Sequence, residues 1–241
     1  KDFNTVVKEV TNLINNGYKE IVLTGIHTGR YGLEQNTNLE TLLKELVKID
    51  KLKRLRISSI EITELTDEVL EVIKDNKVIV DHMHIPLQAG SDEILKLMNR
   101  KYDLKYFFNK IKEIRTIRPE ISITTDVIVG FPGETEELFQ KTINTCKELE
   151  LTKMHVFPYS IRKGTVAENL PNHLDQSIKK DRARRLLEVS KELEKNYFNK
   201  YIGKEVEVLI EETKDGYSYG HTGNYLYVKI NKKLEHNTFV Q

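Results

Sequence analysis

The 241-residue chain has a single cysteine, Cys146, and that scarcity excludes several kinds of protein. One cysteine cannot build a disulfide framework or an all-cysteine metal site within this chain. Such usage is typical of a reducing compartment, so we expect a cytoplasmic protein. A chain of this length buries enough surface to fold without covalent cross-links.

Long apolar runs and a strong charge of one sign are also missing. No stretch of about 18 apolar residues occurs, which predicts no membrane-spanning helix. The first residues lack the basic-then-apolar pattern of a secretory signal. A net charge of +1 does not by itself indicate a nucleic-acid-binding protein. Basic residues do crowd the stretch 179–195, which we interpret as the solvated face of a helix, with Arg184 and Arg185 as candidate RNA contacts.

Helix-like and strand-like segments alternate through residues 1–160. Their order, αβαβαβααβαβ, predicts parallel strands joined by crossover helices. No Gly-x-Gly-x-x-Gly follows the first strand, so the sequence favours a partial (β/α) TIM-like barrel over a dinucleotide-binding sheet. In such barrels ligands bind at the carboxyl ends of the strands.

The pattern changes after residue 160. Residues 161–202 are predicted to be a helical connector, and residues 203–241 a small antiparallel β-barrel of short strands. Composition leaves RNA binding and a purely structural role equally open for this barrel. The chain begins at Lys1 within a helical pattern and stops at Gln241 within a strand-like run. We therefore expect a fragment of a longer protein, with an incomplete barrel.

Small, polar and glycine residues follow each predicted strand. Glycine lets backbone approach a ligand closely, and functional residues concentrate on such loops. We therefore predict a ligand cradle built from five turns: residues 24–29, 58–61, 88–92, 130–134 and 158–160.

These turns and the strands before them carry a resemblance to radical S-adenosylmethionine (SAM) enzymes, and within them to the methylthiotransferases. Residues 20–29, 54–61, 84–92, 125–134 and 155–160 look like successive barrel strands of that family. The tail, including residues 220–225, resembles a TRAM domain, a small β-barrel that binds tRNA. Residues 24–29 and 56–61 most resemble the MtaB branch. That resemblance implies transfer of a methylthio group to C2 of N6-threonylcarbamoyladenosine, next to the tRNA anticodon.

The resemblance also implies cofactors and partners. They are SAM, two [4Fe–4S] clusters in the full-length enzyme, tRNA, an electron donor and a sulfur donor. The family's three-cysteine cluster loop is not in this sequence, and the pattern around Cys146 is typical of a buried apolar position. We therefore expect this chain to bind no cluster, to hold no metal and to be inactive by itself.

The resemblance further assigns SAM contacts to pairs of residues on successive turns. Glu61 as a solvated charge, Ser91 as a helix cap and Phe131 as a core residue are the plainer alternatives. The implied contacts are Thr24, Gly25, Ser58, Glu61, Gln88, Ser91, Gly130, Phe131, Val156 and Phe157.

Aromatic and basic residues alternate in the tail, as single-stranded RNA recognition requires. Tyr219, His221, Tyr225 and Lys229 are the candidate RNA-binding residues there, although some of the tyrosines would serve the barrel core. Arg54 and Arg56 share one strand face, which fits phosphate or carboxylate binding or internal salt bridges.

Three other functions remain open at this point. One is a sister methylthiotransferase acting on isopentenyladenosine or on a ribosomal protein. Another is a non-catalytic RNA-binding protein on a degenerate barrel. The third is an ordinary barrel enzyme acting on phosphorylated metabolites.

Overall fold

The computed structural model describes residues 1–241, which form two compact units. The first unit contains residues 1–84, 114–122 and 201–241, and the second contains residues 85–113 and 123–200. The predicted domain limits near residues 160 and 202 remain a prediction. None of the helices is both long and apolar enough to cross a lipid bilayer.

Helices and strands alternate along the chain as predicted. Residues 1–84 contain α1 (Phe3–Asn15), β1 (Glu20–Leu23), α2 (Leu39–Leu46), β2 (Arg54–Ile57), α3 (Asp67–Asp75) and β3 (His82–His84). Residues 85–200 contain α4 (Asp92–Leu97), α5 (Leu104–Ile117), β4 (Ser122–Val129), α6 (Glu136–Glu148), β5 (Lys153–Pro158) and α7 (Gln176–Asn199). The tail contains β6 (Val208–Lys214), β7 (Tyr217–Thr222), β8 (Tyr227–Ile230) and β9 (Phe239–Val240).

Short polar side chains determine where several helices begin. The Asp2 carboxylate accepts a hydrogen bond from the Thr5 amide at 2.9 Å, so α1 starts at Phe3. Asn38 caps α2 in the same way, through the Thr41 amide at 2.8 Å. Each cap satisfies an amide that the helix itself leaves without a partner.

The parallel sheet of the first unit is formed by β1 and β2, with Glu20 opposite Arg54 and Leu23 opposite Ile57. An isolated parallel bridge joins Leu55 to Ile79. All four residues of β2 are buried. Burial of a whole strand is typical of parallel sheets whose faces are covered by helices.

In the second unit β4 and β5 pair in parallel, from Thr124 opposite Lys153 to Val129 opposite Pro158. The preceding segment runs beside β4, since the Ile85 amide donates to the Thr124 carbonyl at 2.9 Å. Alternating helices and parallel strands confirm the predicted α/β fold class. Cys146 on α6 is fully buried, as expected, and burial raises the pKa of its thiol to about 12.

The tail forms an antiparallel sheet with strand order β8-β7-β6-β9. Gly220 allows β6 and β7 to approach, because a Cβ atom there would lie 1.9 Å from the Leu209 carbonyl oxygen. The short β9 pairs with β6, placing Phe239 opposite Leu209. The predicted small barrel is therefore present as a four-stranded half-barrel.

Candidate ligand cavity and nucleic-acid interface

A cavity of about 540 Å³ opens at the carboxyl ends of β4 and β5 in the second unit. This volume lies in the range of about 300–1,000 Å³ that is common for small-molecule sites. Its lining is mostly apolar or uncharged: Gln88, Asp126, Ile128, Phe131, Phe157, Pro158, Tyr159, Ser160, Arg162, Thr165 and Ala167.

One wall of the cavity comes from the turn after β4. Gly130 has a φ of +73°, and a Cβ atom there would lie 2.5 Å from Cγ of Lys179 on α7. Only glycine combines that backbone conformation with so close an approach. The turn presents Phe131, whose ring packs edge-on against Tyr159 with 5.0 Å between centroids.

A buried ion pair holds this turn. Oε1 of Glu134 accepts from the Gly130 amide at 2.8 Å and from Nη1 of Arg182 at 2.6 Å. The Glu134 and Arg182 side chains are 1% and 6% exposed. Burial raises the pKa of the Glu134 carboxyl, and the Gly130 amide and Arg182 oppose that rise. The shared contacts fix the turn against α7.

The prediction that the basic residues of α7 form a solvated face is partly wrong. Lys179 and Arg182 are buried, and the Lys179 ammonium lies 5.2 Å from the Tyr159 ring centroid. Arg184 is exposed but pairs with Asp181 and Glu188 on its own helix. Arg185 pairs with Glu136 at 2.6 Å. The role of Arg184 and Arg185 in RNA binding stays a prediction.

The second unit brings together some of the predicted SAM contacts. Gln88, Phe131 and Phe157 line the cavity, and Gly130 shapes the turn beside it. Val156 is not among the lining residues, and its contact with SAM stays a prediction. Ser91 is fully buried in front of α4 and makes no capping hydrogen bond.

Four other predicted contacts lie in the first unit. Thr24 and Gly25 follow β1, and Ser58 follows β2, where its amide donates to the Leu23 carbonyl at 3.0 Å. Glu61 precedes a short 3-10 helix. Ends of paired parallel strands meet at one edge of their sheet, as the sequence predicted. Whether any of these residues contacts SAM stays a prediction.

The sequence did not reveal a histidine–carboxylate group in this unit. Ligand atoms of His27, Glu61 and Glu64 all lie within 4.8 Å of one another. Glu64 also accepts a hydrogen bond from the Gly29 amide at 3.2 Å. The grouping depends on the conformation of two loops, and the helix and strand periodicity of the sequence does not predict loop conformation.

Arg54 and Arg56 were predicted either to bind a phosphate or carboxylate ligand or to form internal salt bridges. In the structure both arginines make contacts within the protein. Nη1 of Arg54 donates to the His221 carbonyl at 2.9 Å, and Nη2 donates to the Glu207 carbonyl at 2.8 Å. Arg56 donates to Glu20 at 2.8 Å. Both arginines are almost completely buried. They tie β2 to the half-barrel.

Aromatic rings form a column beside this contact. The Tyr225 ring lies 4.5 Å from both the His82 and His221 rings, nearly parallel to each. The Arg56 guanidinium lies 4.8 Å from the Tyr225 centroid. Burial lowers the pKa of His82 to about 3, and the charge of Arg56 adds to the effect. Tyr225 therefore serves the packing of the half-barrel as well as its surface.

The outer part of the column is more accessible. Tyr227 is 53% exposed, and its ring centroid lies 5.9 Å from that of Tyr219. The Lys229 ammonium lies 3.7 Å from the Tyr217 centroid. Exposed rings beside a cation are the groups that bind unpaired bases. RNA binding by these residues stays a prediction.

Fold and cavity together define the class: an α/β protein with parallel strands that end at a small-molecule cavity, followed by a β-half-barrel. A family model described as the Radical SAM superfamily matches residues 1–146. The chain belongs to the radical SAM superfamily.

Curated relatives refine this placement. The threonylcarbamoyladenosine tRNA methylthiotransferase MtaB of Bacillus subtilis is 43% identical over 235 residues, covering 95% of this chain and 52% of that protein. The tRNA-2-methylthio-N6-dimethylallyladenosine synthase of Thermodesulfovibrio yellowstonii is 40% identical over 226 residues, covering 93% of this chain and 52% of that protein. The chain thus spans about half the length of these relatives.

Solved structures agree on the fold. Coproporphyrinogen III oxidase (HemN) of Escherichia coli, described as a radical SAM enzyme, has a TM-score of 0.61 at 18% identity, covering 79% of this chain and 45% of that one. The radical SAM methyltransferase TsrM of Kitasatospora setae has a TM-score of 0.53 at 17% identity, covering 66% of this chain and 31% of that one.

The superfamily implies SAM and a [4Fe–4S] cluster. The residues present fit SAM but do not fit the cluster. The cavity has an aromatic wall for a flat base, and the buried phenol oxygen of Tyr159 has no hydrogen-bond partner within the protein. A cluster needs thiolate ligands. Cys146 is fully buried, with a pKa of about 12, and does not fit that role.

The close approach at Gly130 yields a stability prediction. Gly130→Ala should cost roughly 2–4 kcal/mol, because left-handed strain adds to a clash with Lys179. The matched control is Gly164→Ala: Gly164 has a φ of +79° but nothing within 4 Å of the added Cβ. It should cost about 1 kcal/mol. Urea unfolding measures both, and equal losses would contradict the proposed close approach.

Buried His82 yields a pH prediction. Its folded-state pKa lies below the unfolded value of 6.5, so protons bind the unfolded state preferentially as pH falls. From pH 7 to pH 5 this histidine should remove about 2 kcal/mol of stability. His82→Phe, which keeps a ring against Tyr225, should reduce the pH dependence of urea unfolding by that amount. The exposed-site control His236→Gln should not, and an unchanged slope in His82→Phe would refute the assignment.

Proposed function

We propose that this chain forms the SAM-binding and RNA-binding part of an enzyme that methylthiolates C2 of N6-threonylcarbamoyladenosine in tRNA. The observation that carries the proposal is the cavity at the carboxyl ends of β4 and β5, with its aromatic wall. Superfamily membership and the names of the relatives supply the reaction type.

Residues of this chain would bind and orient SAM. Phe131 and Phe157 offer apolar surface to the adenine, and the Gln88 amide suits the ribose hydroxyls or the carboxylate. SAM supplies the radical and methyl chemistry of this superfamily when it is bound with a cluster. Burial of Phe131 and its edge-on packing against Tyr159 give the base a preformed wall, which lowers the entropy lost on binding.

The chain by itself should be inactive in methylthio transfer. Cleavage of SAM in this superfamily needs an electron from the cluster, and Cys146 is no ligand for one. The full-length enzyme would hold two clusters and would receive electrons and sulfur from donors of unknown identity. We place it in the cytoplasm, where its tRNA substrate is found.

The half-barrel would bind tRNA. Tyr219, His221, Tyr225 and Lys229 combine aromatic faces with a cation, as single-stranded RNA recognition requires. Arg184 and Arg185 on α7 would add phosphate contacts once released from their acidic partners. The predicted limits, a barrel to residue 160 and a connector to residue 202, describe this division of roles.

A sister activity has its own support, because a relative of nearly equal identity is named for dimethylallyladenosine. Both activities leave a methylthio group on adenosine, but on different N6-substituted nucleosides. The nucleoside content of tRNA therefore distinguishes them.

Mass spectrometry of tRNA nucleosides provides the test. In cells whose full-length protein carries Phe157→Ala, methylthiolated threonylcarbamoyladenosine should fall about tenfold, because one ring contact contributes roughly 1–3 kcal/mol. Phe157 is half-exposed, so its loss should leave the fold intact. Tyr106→Ala, which removes another exposed ring on α5, is the matched control and should change nothing. A selective loss of methylthiolated dimethylallyladenosine would assign the sister activity, and no loss in either nucleoside would refute the proposal.

A further inference from the structure

Three side chains that can ligate a metal meet in the loops after β1 and β2. Nδ1 of His27 lies 3.5 Å from Oε1 of Glu64. The ligand atoms of His27, Glu61 and Glu64 all lie within 4.8 Å of one another. The group lies wholly within the first unit, and none of its members lines the cavity at the ends of β4 and β5.

Local backbone geometry brings the two carboxylates to one side of their loop. Glu61 precedes a single turn of 3-10 helix, and Glu64 ends that turn. The Glu64 amide closes it by donating to the Glu61 carbonyl at 2.8 Å. Side chains three positions apart on such a turn eclipse one another. Ile62 inside the turn is fully buried, so the segment that carries both carboxylates is anchored in the core.

The Glu64 carboxylate is oriented by a hydrogen bond from the other loop. Its Oε2 accepts from the Gly29 amide at 3.2 Å, whereas Oε1 is the oxygen paired with His27. A Cβ atom at position 29 would lie 2.2 Å from Cβ of Glu64, so this approach requires glycine. The Glu64 side chain is only 10% exposed. Carboxylates that ligate metals are typically held by such an additional hydrogen bond.

The separation of His27 and Glu64 fits a shared metal ion better than a hydrogen bond. The value of 3.5 Å exceeds the range of roughly 2.7–3.2 Å that is usual for N–H···O hydrogen bonds. Two ligand atoms bound to one tetrahedral Zn²⁺ lie about 3.3–3.4 Å apart. The Glu61 carboxylate has no hydrogen bond or salt bridge within the protein, so it is free to close on the same ion.

We propose that His27, Glu61 and Glu64 bind a divalent transition-metal cation such as Zn²⁺, which joins the loop after β1 to the loop after β2. An imidazole favours such a cation over Mg²⁺, which takes oxygen ligands. Two carboxylates neutralise its charge, and three protein ligands leave a fourth position for water. In this role Glu61 ligates a metal instead of contacting SAM. The proposal departs from the sequence-based expectation that the chain holds no metal.

Equilibrium dialysis of the tag-free 241-residue chain against Zn²⁺, with the bound metal counted by mass spectrometry, tests the proposal. Wild type should retain one Zn²⁺ that His27→Gln and Glu64→Gln both lose. Their affinity should fall more than about 100-fold, because a lost ligand costs more than a lost outer hydrogen bond. Glutamine at position 64 still accepts from the Gly29 amide, so the loop should keep its conformation.

Two matched controls remove the same chemical groups elsewhere in the first unit. His236→Gln and Glu71→Gln each change an exposed residue and should leave the zinc content unchanged. Glu61→Gln guards against misfolding as the cause of a loss. It alters a carboxylate without a protein partner, so weaker zinc binding there reports the metal site itself.

Three results would overturn the proposal. In the first, wild type retains no Zn²⁺. In the second, the variants of the three ligands retain as much Zn²⁺ as the two controls. In the third, Mg²⁺ or SAM displaces Zn²⁺ at equal concentration, which would assign the carboxylates to a non-selective acidic patch or to the SAM ammonium group. The proposed function survives all three results, because it depends on the cavity of the second unit.

Discussion

The ion pair between Glu134 and Arg182 fixes the geometry of the ligand cavity. Taking two charges out of water costs several kcal/mol per ion, and only close, well-directed contacts offset that cost. Here the carboxylate has both a guanidinium at 2.6 Å and a backbone amide at 2.8 Å. An apolar pair of similar size could fill the space, but it could not bind the Gly130 amide. The charged pair therefore determines the position of the turn as well as filling the core.

This pair gives α7 a role beyond linking two parts of the chain. The helix supplies Arg182 to the turn and Lys179 to the Tyr159 ring, and its Ser190 hydroxyl accepts from the Met154 amide of β5 at 2.9 Å. In the other unit, Arg54 and Arg56 anchor the half-barrel to β2 through backbone carbonyls. Each unit thus uses buried arginine to fix a segment that carries predicted ligand or RNA contacts.

Much of the fold could be predicted from local patterns. Alternating helix and strand periods, with caps such as Asp2 and turn glycines such as Gly130, define elements within a few residues. The cavity wall could be predicted for the same reason, because Gly130 and Phe131 directly follow the strand that positions them. Membership of the superfamily confirms the resemblance on which the SAM prediction was based.

Contacts between residues that are distant in sequence could not be predicted from local sequence patterns. Arg54 meets Glu207 across 153 positions, and the strand pattern could not distinguish that partner from a phosphate. Lys179 and Arg182 looked solvated because a charged helix does not reveal which face is covered. Val156 does not line the cavity although its neighbour Phe157 does, and its contact with SAM stays a prediction.

Photolabelling with an azidoadenosyl analogue of SAM would examine the cavity assignment at the level of residues. The account predicts saturable labelling, competed by SAM, in peptides that contain Phe131 or Phe157. Labelling confined to the separate groove between α6 and α7, lined by Lys147 and Lys200, would contradict it. So would labelling that excess SAM does not reduce.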